Sequence, residues 1–356
     1  MLTERIRNTY LGLKAAIALA TVAFVGASAL AASPPLPAFG ADPAQTSVSG
    51  LSSGAFMAVQ LQVAYSRSIV GSGIVAGGPY YCAANNIAYA AICMGQVPFV
   101  PPNPALMLGA ARAFASKRLI DPLSYLSKRR IYVFSGTEDT IVRQPVVDAT
   151  VWFFRKLGVE GDHLLYVNEL PAGHALIAPS AGNDCSANSA PYVSHCSVNG
   201  SAYDQAGALL QHIYGTLHAR VETPAGQIVN FDQRPFAPAA TGLADTGYLY
   251  VPHSCTMQGT RCKVHVALHG CLQAAESVGD TFYSKTGYNN WADSNDILVL
   301  YPQVNKSTHP YNPNGCWDWW GYTGSNYAYR SAPQMKAIKA MVRRLTQQRS
   351  TAVVKP

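Results

Sequence analysis

A serine stands between two glycines at Gly50-Leu51-Ser52-Ser53-Gly54. Gly-x-Ser-x-Gly describes a nucleophile elbow, in which a serine rides a sharp strand-to-helix turn and the glycines leave room for the bend. That spacing selects Ser52 over its neighbour Ser53. A serine hydroxyl is a weak nucleophile until a base takes its proton, and the base in turn needs an orienting acid. Asp139 and His174 are the candidates, giving the chain order Ser, Asp, His. Glu138 and Asp148 rival Asp139, but Gly136-x-x-Asp139-x-x-Val142 after a strand is the usual setting of the acid. His174 follows a strand on a glycine-containing loop, whereas His265 lies inside a strand, and His163, His212 and His218 flank or ride ordinary elements. The chemistry these groups would perform together is acyl transfer through a covalent serine intermediate.

Positioning such groups requires a rigid frame. Residues 46–48 read as a short strand leading into the elbow and residues 56–65 as an apolar helix leaving it. Strands are expected at 70–78, 130–136 and 163–168, with a helix near 145–157 between the last two. Strands alternating with helices imply a mostly parallel sheet covered on both faces, with ligands collecting at the carboxyl ends of the strands. Ser52, Asp139 and His174 all fall at such ends. Residues 247–252 and 262–270 read as two adjacent strands, 297–302 as a further buried strand, and 333–348 as an amphipathic basic helix.

The strand at 262–270 ends in His269-Gly270-Cys271, the kind of turn that supplies an oxyanion-hole amide in an α/β-hydrolase. The amides of Ser53 and Cys271 are therefore the candidate oxyanion donors, with His269 bracing the turn by hydrogen bonds. In the usual α/β-hydrolase these elements precede the elbow, and here they follow the histidine. The expected fold class is thus a circularly permuted α/β-hydrolase, a mostly parallel sheet with helices on both faces. Its ends, 32–40 and 351–356, should lie close together, since the termini of one domain often do.

Arg5, Arg7 and Lys14 precede an uncharged stretch from 15 to 30 that ends in small residues. This pattern predicts a signal peptide over 1–31, a secreted extracellular or periplasmic product, and one catalytic domain over 32–356. The apolar run is shorter than the ~20 residues that span a bilayer, so no membrane span is expected after signal removal. The chain is 49% hydrophobic and 13% charged, enough to bury a substantial core under a largely neutral surface. Its +7 net charge is scattered rather than gathered on one face, which argues against a nucleic-acid partner. Eight cysteines in an exported chain point to disulfides: Cys82 with Cys93, Cys185 with Cys196, and Cys255 with Cys262 are close neighbours, leaving Cys271 and Cys316. Connectivity is not fixed by sequence, and local closure is the simplest assignment. There is no Cys-x-x-Cys and no histidine at ligand spacing from a cysteine pair, so neither metal nor organic cofactor is expected.

Four stretches carry a resemblance to a known family: Ser49-Gly50-Leu51-Ser52-Ser53-Gly54, Val75-Ala76-Gly77-Gly78-Pro79-Tyr80-Tyr81-Cys82, Leu268-His269-Gly270-Cys271-Leu272-Gln273, and Asn314-Gly315-Cys316-Trp317-Asp318-Trp319-Trp320-Gly321-Tyr322. The chain resembles the secreted poly(3-hydroxybutyrate) depolymerases with a circularly permuted, single-domain α/β-hydrolase unit, across nearly its whole mature length. Its second half also resembles the broader esterases that include feruloyl and acetyl xylan esterases. The resemblance implies hydrolysis of a short-chain polyester through an acyl-enzyme by a monomer. Soluble or oligomeric esters are the alternative substrates, and a catalytically dead binding protein is disfavoured because all three triad positions are filled. Larger polymer depolymerases append a linker and a substrate-binding domain, and neither is recognisable in this sequence. Trp317, Trp319, Trp320, Tyr80 and Tyr81 lie on loops that this topology brings toward the site, where each would either line the cleft for an apolar chain or pack a small core beneath it. A Cys271–Cys316 bridge would tie the tryptophan loop to the oxyanion turn, while the Cys185–Cys196 and Cys255–Cys262 loops are expected to be peripheral.

Overall fold

The computed structural model describes residues 33–349, so the expected signal peptide at 1–31 and the final residues at 350–356 lie outside the described residues. Eight strands form one sheet: β1 (Thr46–Leu51), β2 (Ile69–Val75), β3 (Arg130–Phe134), β4 (Leu164–Val167), β5 (Gln227–Asp232), β6 (Thr246–Val251), β7 (Lys263–Leu268) and β8 (Ile297–Tyr301). Their spatial order is β4-β3-β2-β1-β7-β8-β6-β5. All neighbours pair parallel except at β6, which runs antiparallel to both β8 and β5. Numbered from β5 instead, the sheet reads first, second, fourth, third, then fifth to eighth in spatial order. That regularity belongs to a chain whose start has been moved, as the late position of the oxyanion turn implied.

Among the described residues, those nearest the two ends meet, while 351–356 lie outside them. Phe39 and Ala41 donate their amides to the Leu345 carbonyl at 3.1 Å each, and Gly40 donates to Gln347 at 2.8 Å. The Arg344 guanidinium adds a bond to the Leu36 carbonyl at 2.9 Å. Residues 36–41 are thereby fastened to the last turn of helix α6 (Pro333–Thr346).

Helix α1 (Ser53–Ala64) is buried along its whole length, because eight of its twelve residues are apolar and both Gln60 and Gln62 find internal carbonyls. Side chains alternate across the sheet, and the face opposite α1 carries a polar stripe. There Ser47 bonds Tyr214 of α4 (Gln205–Tyr214), and Ser49 bonds Tyr288 of α5 (Tyr288–Ser294), each at 2.7 Å. The His265 ring bridges the two serines at 2.6 and 2.7 Å. Helices thus cover both faces of the sheet.

The sheet differs from the sequence expectation at two points. The strands at 246–251 and 263–268 are not neighbours, because β8 pairs between them. β5 was missed: it is an edge strand with only Phe231 fully buried, so its apolar alternation is weak. Helices α2 (Pro104–Ser116), α4 and α5 were also not anticipated, while α3 (Gln144–Arg155) and α6 lie where expected. The four cysteine pairs are bridged as 82–93, 185–196, 255–262 and 271–316, with no free cysteine among the described residues.

Candidate active site

The elbow forms because β1 and β7 run side by side and leave the first turn of α1 no space. A β-carbon at Gly50 would strike the main chain of Gly54, and one at Gly54 would strike the carbonyls of Leu268 and His269. Ser52 takes up the bend at φ 57° and ψ −124°, a left-handed conformation that costs a non-glycine residue on the order of 1–3 kcal/mol. Its amide is pinned to the Val75 carbonyl of β2 at 2.9 Å.

His174 stands seven residues beyond the end of β4 and Asp139 five beyond the end of β3, at the same carboxyl edge of the sheet. His174 Nδ1 lies 2.8 Å from Asp139 Oδ2, and both side chains are buried. Asp139 Oδ1 accepts the amides of Ile141 and Val142, each at 2.9 Å. With one oxygen held by the backbone, the carboxylate presents the other to the imidazole, which leaves Nε2 as the free ring nitrogen. No hydrogen bond joins the Ser52 hydroxyl to His174 among the described residues, and such contacts are often long before substrate tightens them. The rival Asp148 instead accepts a bond from Tyr166 at 2.7 Å on an exposed surface.

The oxyanion turn crosses beside the elbow: a β-carbon on Gly270 would sit 3.4 Å from that of Ser52. His269 Nδ1 donates to the Gly270 carbonyl at 2.7 Å, and its Nε2 accepts the Val304 amide at 3.0 Å. Those two partners require the neutral ring with its proton on Nδ1, and complete burial pushes its pKa down to about 4. His269 is a brace, as its position in the turn suggested. The Cys271 amide donates to no described residue, whereas its neighbour Leu272 donates to Asn314 at 2.7 Å.

The tryptophan loop packs on the elbow helix. Trp319 stacks on Phe56 at 4.4 Å between centroids, and Gln60 of α1 donates to the Asp318 carbonyl at 3.0 Å. The Asp318 carboxylate gathers the amides of Trp320, Gly321, Tyr322 and Thr323, which fixes the loop's turn. Trp317 and Tyr80 are 0% exposed and Trp319 is 5% exposed. Of the two readings for these three, burial selects core packing over cleft lining: Trp317 packs on His269, and the Tyr80 hydroxyl is spent on the Ala328 carbonyl at 2.6 Å. Trp320 and Tyr81 keep exposed surface. Tyr81 borders an apolar cavity of about 400 Å³ with Tyr89, Leu106 and Met107.

Two residues escaped sequence reading. Asn188 accepts the amides of Thr140 and His174 on Oδ1 at 3.0 and 2.9 Å, and donates from Nδ2 to the Glu138 and Ser186 carbonyls. Gln273 accepts the Gly270 amide at 2.7 Å and donates to the carbonyls of Pro191 and Tyr192. Asn188 sits in a run of small and polar residues that nothing in its composition singles out, and Gln273 stood in a quoted stretch without a role. The Cys185–Cys196 loop that carries Asn188 is therefore not peripheral: Gly173 donates to the Cys185 carbonyl at 2.8 Å, directly before His174. Among the described residues no group of three or more His, Cys, Asp or Glu side chains is placed to hold a metal ion.

A family profile described as Esterase PHB depolymerase matches residues 246–352. A poly(3-hydroxybutyrate) depolymerase of Delftia acidovorans is 43% identical over 94% of this chain, which spans 66% of that relative's length. A polyhydroxybutyrate depolymerase of Talaromyces funiculosus is 39% identical over 92% of this chain and 97% of its own. Among solved structures, the PHB depolymerase from Penicillium funiculosum superposes with a TM-score of 0.80 at 38% identity, covering 88% of this chain and 98% of that one. A serine-to-alanine variant of a PHB depolymerase, complexed with an R3HB trimer, gives the same values.

Proposed function

The chain belongs to the poly(3-hydroxybutyrate) depolymerase family of ester hydrolases, and on that basis we propose that it is a secreted serine esterase cleaving short-chain polyhydroxyalkanoate to 3-hydroxybutyrate monomer or short oligomers. The observation that carries the mechanism is the 2.8 Å bond between His174 and Asp139, at the sheet edge that also presents the Ser52 elbow. In this reading Ser52 Oγ attacks the ester carbonyl carbon while His174 Nε2 takes its proton. Asp139 holds the ring in that tautomer and stabilises the imidazolium. The oxyanion forms between the amides of Ser53 and Cys271, each worth about 3–4 kcal/mol in the transition state. His174 returns the proton to the departing alkoxide, and water then releases the hydroxyacid by the same steps in reverse. Trp320 and Tyr81, which keep open surface, are assigned to the polymer chain.

Ser52→Ala and His174→Ala should abolish clearing of a poly(3-hydroxybutyrate) suspension and turnover of a p-nitrophenyl butyrate probe, in protein that still folds. Activity retained within tenfold in either variant would sink the assignment. Release of ferulate without clearing of polymer would move the substrate to soluble esters.

A further inference from the structure

We propose that Asn188 is a positioning residue for the reaction, the bracket that holds His174 and Asp139 in register; the proposal rests on the triad reading above. Its carboxamide has two acceptor lone pairs and two N–H donors, and all four are used. On one side it ties down the acid loop, through the Thr140 amide and the Glu138 carbonyl that flank Asp139. On the other it receives the amide of His174 itself. Asp139 and His174 come from loops after different strands, and apart from their own hydrogen bond Asn188 is a single side chain that bonds to both loops. Its fourth bond, to the Ser186 carbonyl, anchors the amide to its own loop.

The Cys185–Cys196 bridge gives that loop its stiffness. Its first cysteine accepts the Gly173 amide through the carbonyl, and Leu176 donates to Tyr192 at 3.0 Å, so the loop grips the histidine segment before and after His174. Near its other end the carbonyls of Pro191 and Tyr192 hold Gln273, which in turn holds the Gly270 amide of the oxyanion turn. One disulfide-closed loop thus touches the acid loop and the base and, through Gln273, the oxyanion turn. A misplacement of about 1 Å at a reacting centre can cost on the order of a hundredfold in rate. A lost bracket should therefore appear in kcat rather than in substrate binding.

The test compares Asn188→Ala with Ser189→Ala, which removes from the same loop a hydroxyl that bonds to no described residue. Steady-state kinetics on p-nitrophenyl butyrate and the rate of Ser52 labelling by a p-nitrophenyl phosphonate are measured in folded protein. Asn188→Ala is expected to lower kcat roughly ten- to a hundredfold, with KM within about threefold, and to slow labelling in proportion. Ser189→Ala should leave all three values near wild type. Wild-type kcat in folded Asn188→Ala, or an equal loss in Ser189→Ala, overturns the proposal. Should Asn188→Ala not fold, Asn188→Asp decides: it keeps the acceptor oxygen, loses both donors, and must show the same loss confined to kcat. Ser52→Ala and His174→Ala run alongside, and activity in those two would instead overturn the triad reading on which the proposal stands.

Discussion

Gly54 and Leu268 meet backbone to backbone, so closely that a β-carbon on the glycine would overlap the leucine carbonyl. The first turn of the elbow helix and the last residue of the oxyanion strand are therefore one packed unit. Ser52 and the turn bearing the Cys271 amide share it, although more than two hundred residues separate them in the chain.

Gly54→Ala should break that unit. The clash is with main chain on a central strand, which cannot rotate away as a side chain could. Overpacking of this kind costs typically ~1–3 kcal/mol. The expected outcome is a lower melting temperature together with a loss of kcat on a soluble ester in the protein that remains folded. A variant with wild-type stability and kcat would show that the contact is loose.

Asp139→Asn should lower kcat by roughly four orders of magnitude, the scale seen when the orienting acid loses its charge and the wrong tautomer is favoured. Asp148→Asn should leave kcat unchanged, because that carboxylate is committed to Tyr166 on an exposed surface. The reverse ranking in kinetics on the two purified variants would mean that the acid has been misassigned.

Much of this arrangement was legible in the sequence because the elbow glycines, the strand-to-loop transitions and the chain order of Ser, Asp and His are local patterns. The permuted order was legible too, since it needs only the sequence of elements. What escaped were facts settled by tertiary packing. The insertion of β8 between β6 and β7 depends on which strands pair, not on their composition. Trp317 and Tyr80 read equally as cleft or core aromatics because their loops come to the site, and only burial against His269 and a bond to Ala328 assign them to the core. Asn188 acts through four backbone partners spread over fifty residues, and no spacing in the sequence records them.

Acid should destabilise the fold through two histidines outside the triad. His265 and His269 are completely buried, which lowers their pKa from 6.5 to about 3 and about 4. Between those values and 6.5 the unfolded chain binds protons that the folded chain refuses, so stability rises with pH across that window. The contribution is full above 6.5 and is lost as pH falls, by about 1.4 kcal/mol per pH unit for each histidine. Guanidinium unfolding midpoints should drop between pH 7 and pH 5, with imidazole nitrogen NMR showing both rings still neutral in the folded protein at pH 5. A midpoint that holds or rises on acidification would refute this.

Cys316→Ser should lower kcat on a soluble short-chain ester, where adsorption to polymer plays no part. The Cys271–Cys316 bridge ties the oxyanion turn to the base of the tryptophan loop, beside the bond from Leu272 to Asn314. An oxyanion donor has to stay within about half an ångström of its productive position to stabilise the developing charge. Without the bridge the Leu272 bond remains, so the turn should loosen rather than unfold, and the loss should be partial. Opening the Cys255–Cys262 bridge, which closes a seven-residue separation before β7, should lower the melting temperature and spare kcat. Unchanged kcat in folded Cys316→Ser protein would detach the disulfide from catalysis, and leave the Cys271 amide held by the elbow packing, the His269 and Gln273 braces and the Leu272 bond.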